Sequence, residues 1–151
     1  MGAATSILIG GLGTVKNLHG MVLDSPFSDA KTMIADLMNH QAGFPKFLIK
    51  AALLPIGSTI KSKTGHAALD VSPIDVVSLV DVPAYYMVAS GDFIARPERV
   101  KELFENHKHS RKELLEMVGE HNDFRSDFDI KKAIDFINVE WEKVFEIKVK
   151  S

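Results

Sequence analysis

The sequence predicts a three-layer α/β fold in which a parallel sheet lies between helices. Short runs rich in Val, Leu, Met and Tyr alternate with longer segments of helical periodicity, a pattern typical of parallel strands joined by helical crossovers. The predicted strands are apolar throughout rather than at alternate positions, as expected of strands buried on both faces. No repeat, linker or low-complexity segment divides the 151 residues, so residues 1–151 are expected to belong to a single domain.

Three segments are predicted to form the strands of this sheet. Residues 20–24 are a short aliphatic run that ends at Ser25-Pro26, residues 84–89 are the most apolar run, and residues 113–118 are followed by a glycine. Short apolar runs of this kind, bounded by turn residues, favour buried strands. Tyr85–Met87 are therefore expected in the core of the sheet.

Helical periodicity explains most of the remaining chain. Apolar residues three and four apart predict helices, and proline and glycine predict where those helices begin or end. Pro55-Ile56-Gly57 is predicted to end one helix, residues 57–70 are predicted to be a loop or a frayed helix, and Ser72-Pro73 is predicted to open a short one. The other helices are predicted at residues 1–10, 30–38 and 44–52, from Pro97 to about 107, and across 130–145.

The amino-acid composition argues against several classes of function and site. The net charge of −2 does not favour nucleic acid or an anionic membrane as a partner. The absence of cysteine excludes disulfides, cysteine-ligated zinc and a thiol nucleophile, and is compatible with the predicted cytoplasmic location. No apolar run reaches the roughly 18 residues of a membrane span, so no transmembrane segment is predicted.

Two polar candidates follow predicted strands. Asp92 lies in the Ser-Gly-Asp turn after the second strand, and His121 lies in Gly119–Asp123 after the third. Open α/β sheets bind their ligands at the carboxyl ends of their strands, so we expect these two side chains to meet at that edge. The sequence therefore predicts an active site at Asp92 and His121.

Four motifs, taken in order, resemble the second half of an α/β-hydrolase. Met1–Thr5 resembles the residues that follow the serine of a G-x-S-x-G nucleophile elbow, while Gly20–Phe27, Pro83–Asp92 and Gly119–Asp123 resemble the last three strand-and-turn units. The sequence is most similar to the serine aminopeptidase-like branch, which includes cytosolic esterases and acyl-protein thioesterase-like enzymes. The resemblance implies the C-terminal part of one hydrolase domain, with residues 28–70 as a cap or insertion.

The resemblance also implies a role for each site residue. In a serine hydrolase a histidine takes the proton of the serine, and a carboxylate orients that histidine, so His121 would be the general base and Asp92 the acid. Asp24, which also ends a strand, is an alternative acid. The nucleophile is expected just before Met1, and Met1 would occupy the position whose backbone N–H contributes to the oxyanion hole. The chain alone is therefore expected to be inactive toward its ester, amide or thioester substrate.

Other polar residues have simpler explanations. Ser25 precedes proline and lacks the elbow glycine two residues later, and Ser90 is equally unlike an elbow serine. His107-Lys108-His109 has no further ligand spaced to complete a metal site and is expected at a solvated helix end. Phe93 and Ile94 either line the substrate pocket or pack beneath it. No metal or cofactor is predicted.

Two further readings of the whole chain remain open at this point. It is either a non-catalytic protein that binds a ligand or a partner, or the product of a degraded gene. The resemblance also places residues 20–24 beside a strand outside this sequence. The apolar sheet edge that would result is expected to promote self-association.

Overall fold

The computed structural model describes residues 2–65 and 67–150. Three parallel strands form a sheet in the order β1 (Met21–Asp24), β2 (Ala84–Ala89) and β3 (Lys112–Met117). The predicted α/β class and parallel sheet are confirmed, and each strand lies within one residue of its predicted bounds. The helices are α1 (Gly2–Gly11), α2 (Ala30–Ala42), α3 (Lys46–Thr64), α4 (Pro97–Asn106) and α5 (Asp127–Lys150), with 3-10 turns at Ala68–Asp70, Pro73–Asp75 and Val77–Leu79.

Helices cover the sheet on both faces. All six residues of the central strand β2 are buried, which confirms the expectation for Tyr85–Met87. On one face, side chains of β1 and β2 pack with α1 and α4 in the main core cluster. On the other face, Tyr85 and Met87 pack against Ala133 and Phe136 of α5. The expectation of strands buried on both faces therefore holds for β2. It was wrong for the other two strands, because β1 alternates between buried and exposed residues and β3 carries Lys112, Glu113 and Glu116.

Strand β1 lies at an edge of this sheet. Its partner is β2, and the amides of Met21 and Ser25 donate to Pro83 and Met87 on that side at 2.9 Å. Successive amides of a strand point to opposite sides, so the amide of Val22 faces outward. Its side chain is exposed and lines an apolar groove of about 350 Å³ between β1 and α5. Within the part of the chain that the structure describes, this edge is open.

Helix α3 continues beyond the predicted stop at Pro55. A proline inside a helix removes one backbone hydrogen bond and favours a kink, yet α3 runs on to Thr64 and ends at Gly65, whose φ of 73° is suited to a C-cap. Residues on both sides of the proline are held by packing, since Leu53 and Ile60 belong to the same apolar cluster. Tertiary contacts therefore outweigh the local signal.

The region predicted as a cap contains α2, α3 and the first 3-10 turn. Asp29 caps α2 by accepting from the amide of Thr32 at 2.7 Å. Ala35 of α2 packs against Ile49 and Leu53 of α3 in a cluster separate from those on the sheet. Residues 28–70 thus have a small core of their own, and their role as a cap stays a prediction.

Two local predictions were wrong. Ser72 makes no side-chain cap, and the predicted short helix is instead a pair of 3-10 turns. His107 is buried rather than solvated, because its Nδ1 lies 3.0 Å from the Tyr86 hydroxyl and its Nε2 lies 2.9 Å from the carbonyl oxygen of Val82. Burial lowers the pKa of His107 and raises the pKa of Tyr86. The imidazole therefore remains neutral and contributes to the core.

Two features are absent from the described residues. No helix in that part of the chain has the length and apolar character needed to cross a membrane. No group of three or more metal-ligating side chains is found there either.

Candidate active site

The two turns that carry the candidate residues lie against each other. Because β2 and β3 are adjacent and parallel, Ala89 lies opposite Met117 and both chains turn at the same edge of the sheet. The amide of Gly91 donates to the carbonyl oxygen of Gly119 at 2.8 Å. A Cβ atom at Gly91 would lie only 2.9 Å from that oxygen, so the close approach requires glycine.

Asp92 is held rigidly in the first of these turns. Its side chain is fully buried, and its Oδ1 accepts from the backbone amides of Ile94 and Ala95 at 2.9 and 2.7 Å. These two hydrogen bonds fix the orientation of the carboxylate. The second oxygen, Oδ2, remains available for a partner outside the turn.

That partner is His121. Its Nδ1 lies 2.7 Å from Oδ2 of Asp92, so the predicted proximity of the two residues is confirmed. A carboxylate oxygen accepts, so Nδ1 is the donor of this hydrogen bond, and in a neutral imidazole Nε2 then presents a lone pair. The His121 side chain is 26% exposed, and the described residues place no hydrogen-bond partner on Nε2. The pair can therefore accept a proton at Nε2 and stabilise the resulting imidazolium.

Arg125 connects the His121 turn to the end of β1. It donates from Nε and Nη2 to the two carboxylate oxygens of Asp24, at 2.9 and 3.0 Å. It also donates to the carbonyl oxygens of Glu120, His121 and Asp123, at 3.2, 3.1 and 2.9 Å. The hydrogen bond to Asp24 raises the pKa of the guanidinium. We call this arrangement the Arg125 clamp.

The two acid candidates have different partners. Both oxygens of Asp24 are engaged by Arg125, whereas Asp92 contacts the imidazole. Asp24 therefore holds the turn that carries His121 and does not orient the ring directly.

Solved structures with the same architecture are α/β-hydrolases. An esterase of Pyrococcus furiosus matches 93% of this chain and 51% of its own, with 21% identity and a TM-score of 0.65. An enol-lactonase of Burkholderia xenovorans matches 91% of this chain and 63% of its own length, with 16% identity and a TM-score of 0.60. The chain has a partial α/β-hydrolase fold. An acetyl xylan esterase of Thermoanaerobacterium matches 93% of this chain and 43% of its own length, with 16% identity and a TM-score of 0.61.

The extent of these matches limits what they show. The chain spans about half the length of the Pyrococcus furiosus esterase. Identities this low show the shared α/β-hydrolase fold and not a shared activity. No family model and no curated protein matches the sequence.

A polar pocket lies beside Asp92 in this α/β-hydrolase fold. Its volume is about 500 Å³, and α2 and the turn after β2 supply most of its walls. His40, in the last turn of α2, stacks on Phe93 with ring centroids 4.6 Å apart and planes 12° from parallel. The region predicted as a cap thus contacts the residue next to Asp92. Phe93 is among the residues that line this pocket, and its predicted place in an acyl pocket stays a prediction.

The remaining site predictions have different outcomes. Met1, predicted in the oxyanion hole, lies outside the described residues. Ser25 has a positive φ of 48°, but its hydroxyl is buried and has no hydrogen-bond partner among the described residues, so it does not present an elbow-like nucleophile. Ser90 lines the polar pocket.

Sequence reasoning missed Arg125 and His40. Arg125 lies two residues after the His121 motif and could have been paired with Asp24, which was considered only as an alternative acid. His40 gave no such signal, because its partner is an aromatic ring 53 positions away.

Proposed function

We propose that this chain carries the acid and the base of a serine hydrolase that cleaves ester-like acyl substrates. The observation that carries the proposal is the 2.7 Å contact between His121 Nδ1 and a buried Asp92 whose other oxygen is fixed by two backbone amides. The esterases and the enol-lactonase that share this fold support an ester or lactone as substrate. The nucleophile is proposed to be a serine immediately before Met1.

The geometry would serve each step of acyl transfer. Nε2 of His121 would take the proton of the serine hydroxyl as the oxygen attacks the substrate carbonyl, and Asp92 would stabilise the imidazolium that forms. The same nitrogen would then return the proton to the leaving group, and would activate water to release the acyl group in the second half of the reaction. The position of Met1 in the elbow motif supports a role for its backbone N–H in the oxyanion hole.

Residues 28–70 are proposed to cap the substrate site. The support for this role is the contact between His40 of α2 and Phe93 beside the acid. The pocket between them is polar, with Asp36, Asn39 and Arg96 among its lining residues, so it favours a substrate with a polar group near the scissile bond. A cytoplasmic location stays a prediction.

Labelling with a fluorophosphonate, which reacts with activated serines, tests the proposal. The 151-residue chain is expected to remain unlabelled, and a protein extended by the upstream coding sequence is expected to label at the serine before Met1. In the extended protein His121→Ala should abolish labelling. Asp92→Asn should slow it by up to about 10⁴-fold, the loss measured for the corresponding change in a serine protease.

The control is Asp24→Asn, which alters the clamp and leaves the proposed acid in place. It is expected to slow labelling far less than Asp92→Asn. Labelling of the 151-residue chain at Ser25 or Ser90 would overturn the proposal. An upstream sequence without Gly-x-Ser would instead favour a non-catalytic ligand- or partner-binding protein.

A further inference from the structure

Helix α3 has an outer face without a single charge. Ile49 and Leu53 point inward and are buried. The opposite side of a helix with 3.6 residues per turn carries Phe47, Leu54 and the small residues between them, and these two large side chains are 71% and 70% exposed. An exposed apolar patch ordinarily marks an interaction surface. Within the described chain, nothing covers this face.

Basic residues surround the apolar face. Helix α3 contains four lysines and no acidic residue, so it carries a charge of +4 in a chain whose total is −2. Lys50, Lys61 and Lys63 are exposed, and on a helical projection Lys50 and Lys61 border the face that carries Phe47 and Leu54. The net charge of the whole chain hides this local concentration of positive charge.

Two shallow cavities follow the same helix. One, of about 420 Å³, is lined mainly by apolar surface and includes Lys31, Lys50 and Leu54. The other, of about 250 Å³, shares Lys31 and Leu54 and adds Lys61. Both combine apolar surface with lysines, although Asp29 also lines the first cavity and Asp70, which pairs with Lys31 at 2.6 Å, lines the second. Lys50 and Lys61 are the basic residues that α3 itself supplies to them. This chemistry matches the boundary between lipid headgroups and acyl chains, at which amphipathic helices with basic borders lie.

We propose that α3 docks this protein onto an anionic lipid surface. Phe47 and Leu54 enter the interface, and Lys50 and Lys61 contact the acidic headgroups. A second copy of the chain is the less suitable occupant, because a two-fold contact through α3 would place the same lysines against each other with no acidic residue on the helix to offset them. The proposal does not depend on the catalytic role of Asp92 and His121.

Sedimentation with vesicles tests the docking surface. The 151-residue chain is mixed with vesicles of phosphatidylcholine alone and with vesicles that also contain phosphatidylglycerol. Binding to the anionic vesicles is expected to be at least about tenfold stronger, since each basic residue near such a surface contributes about a fivefold gain. The double variant Lys50→Glu/Lys61→Glu should lose that preference, and Phe47→Ser/Leu54→Ser should weaken binding to both vesicle types.

Two matched control variants carry the same kinds of substitution outside α3. Lys16→Glu and Phe124→Ser alter an exposed lysine and an exposed aromatic residue outside α3 and should bind as the unmodified chain does. All these positions are exposed, and circular dichroism checks that the variants are folded. Equal binding to both vesicle types, or equal losses in the controls, would overturn the proposal. Absence of binding to either vesicle type would also overturn the proposal. If the unmodified chain then forms dimers that Leu54→Ser abolishes, α3 is a self-association surface instead.

Discussion

Replacing Arg125 by alanine is expected to loosen the turn that carries His121. The substitution removes all five hydrogen bonds of the Arg125 clamp, two to Asp24 and three to backbone carbonyls. The carbonyl of His121 is one of these acceptors, so the backbone beneath the imidazole loses a direct support. The ring should then sample positions away from Asp92.

The magnitude follows from the exposure of each partner. The Asp24 side chain is 41% exposed, so solvent screening limits its pairing with Arg125 to about 1 kcal/mol. Each bond to a carbonyl contributes about 1 kcal/mol net, but water replaces part of it once the turn opens. We therefore expect Arg125→Ala to lower the free energy of unfolding by about 2–3 kcal/mol, a large share of the roughly 5–15 kcal/mol of an ordinary domain.

Two measurements check this expectation. Urea denaturation followed by circular dichroism gives the loss of stability, and proton NMR follows the Nδ1 proton of His121, which should exchange faster with water in the variant. Arg99→Ala is the control, because Arg99 pairs with Glu102 on the exposed surface of α4 and should cost less than about 1 kcal/mol. An unchanged urea midpoint together with an unchanged His121 proton would refute the clamp.

Two further predictions concern the core and the sheet edge. Burial lowers the pKa of His107 below its usual 6.5, so the unfolded chain takes up this proton at a higher pH than the folded chain does, and stability should fall as the pH drops below about 6.5. Urea midpoints measured against pH should show a smaller fall in His107→Gln and the full fall in His19→Gln, where the histidine is exposed; equal slopes in both variants would contradict the assignment. Val22→Lys should reduce self-association through the open β1 edge, as followed by analytical ultracentrifugation, whereas Val118→Lys, just after β3, should not. An unmodified chain that is already a stable monomer would argue against an adhesive edge.

The sequence was sufficient where the signal is local. An apolar run followed by a turn defines each strand, and parallel pairing of β2 with β3 then brings Asp92 and His121 to one edge. The Asp92 turn is also local, because its amide donors lie two and three residues away. These features depend on short sequence windows, which is why they could be predicted.

The wrong and missing predictions depend on contacts between distant residues. Pro55 is a valid stop signal that packing of Leu53 and Ile60 outweighs. His107 lies between two exposed polar residues, Asn106 and Lys108, and its tertiary contacts with Tyr86 and Val82 bury it. None of these outcomes is encoded within a single helical turn or strand.

Asp92 and His121, the proposed acid and base, are fixed over very different distances along the chain. Asp92 depends on a turn that closes within three residues, whereas the turn of His121 is tied through Arg125 to Asp24, 101 positions earlier. Partial unfolding that detaches β1 would therefore release the imidazole while the carboxylate stays in place. The contact between His121 and Asp92 would be lost at denaturant concentrations below those of the cooperative unfolding transition. Hydrogen exchange should accordingly show the amides of 120–125 opening at a lower free energy than those of 92–95.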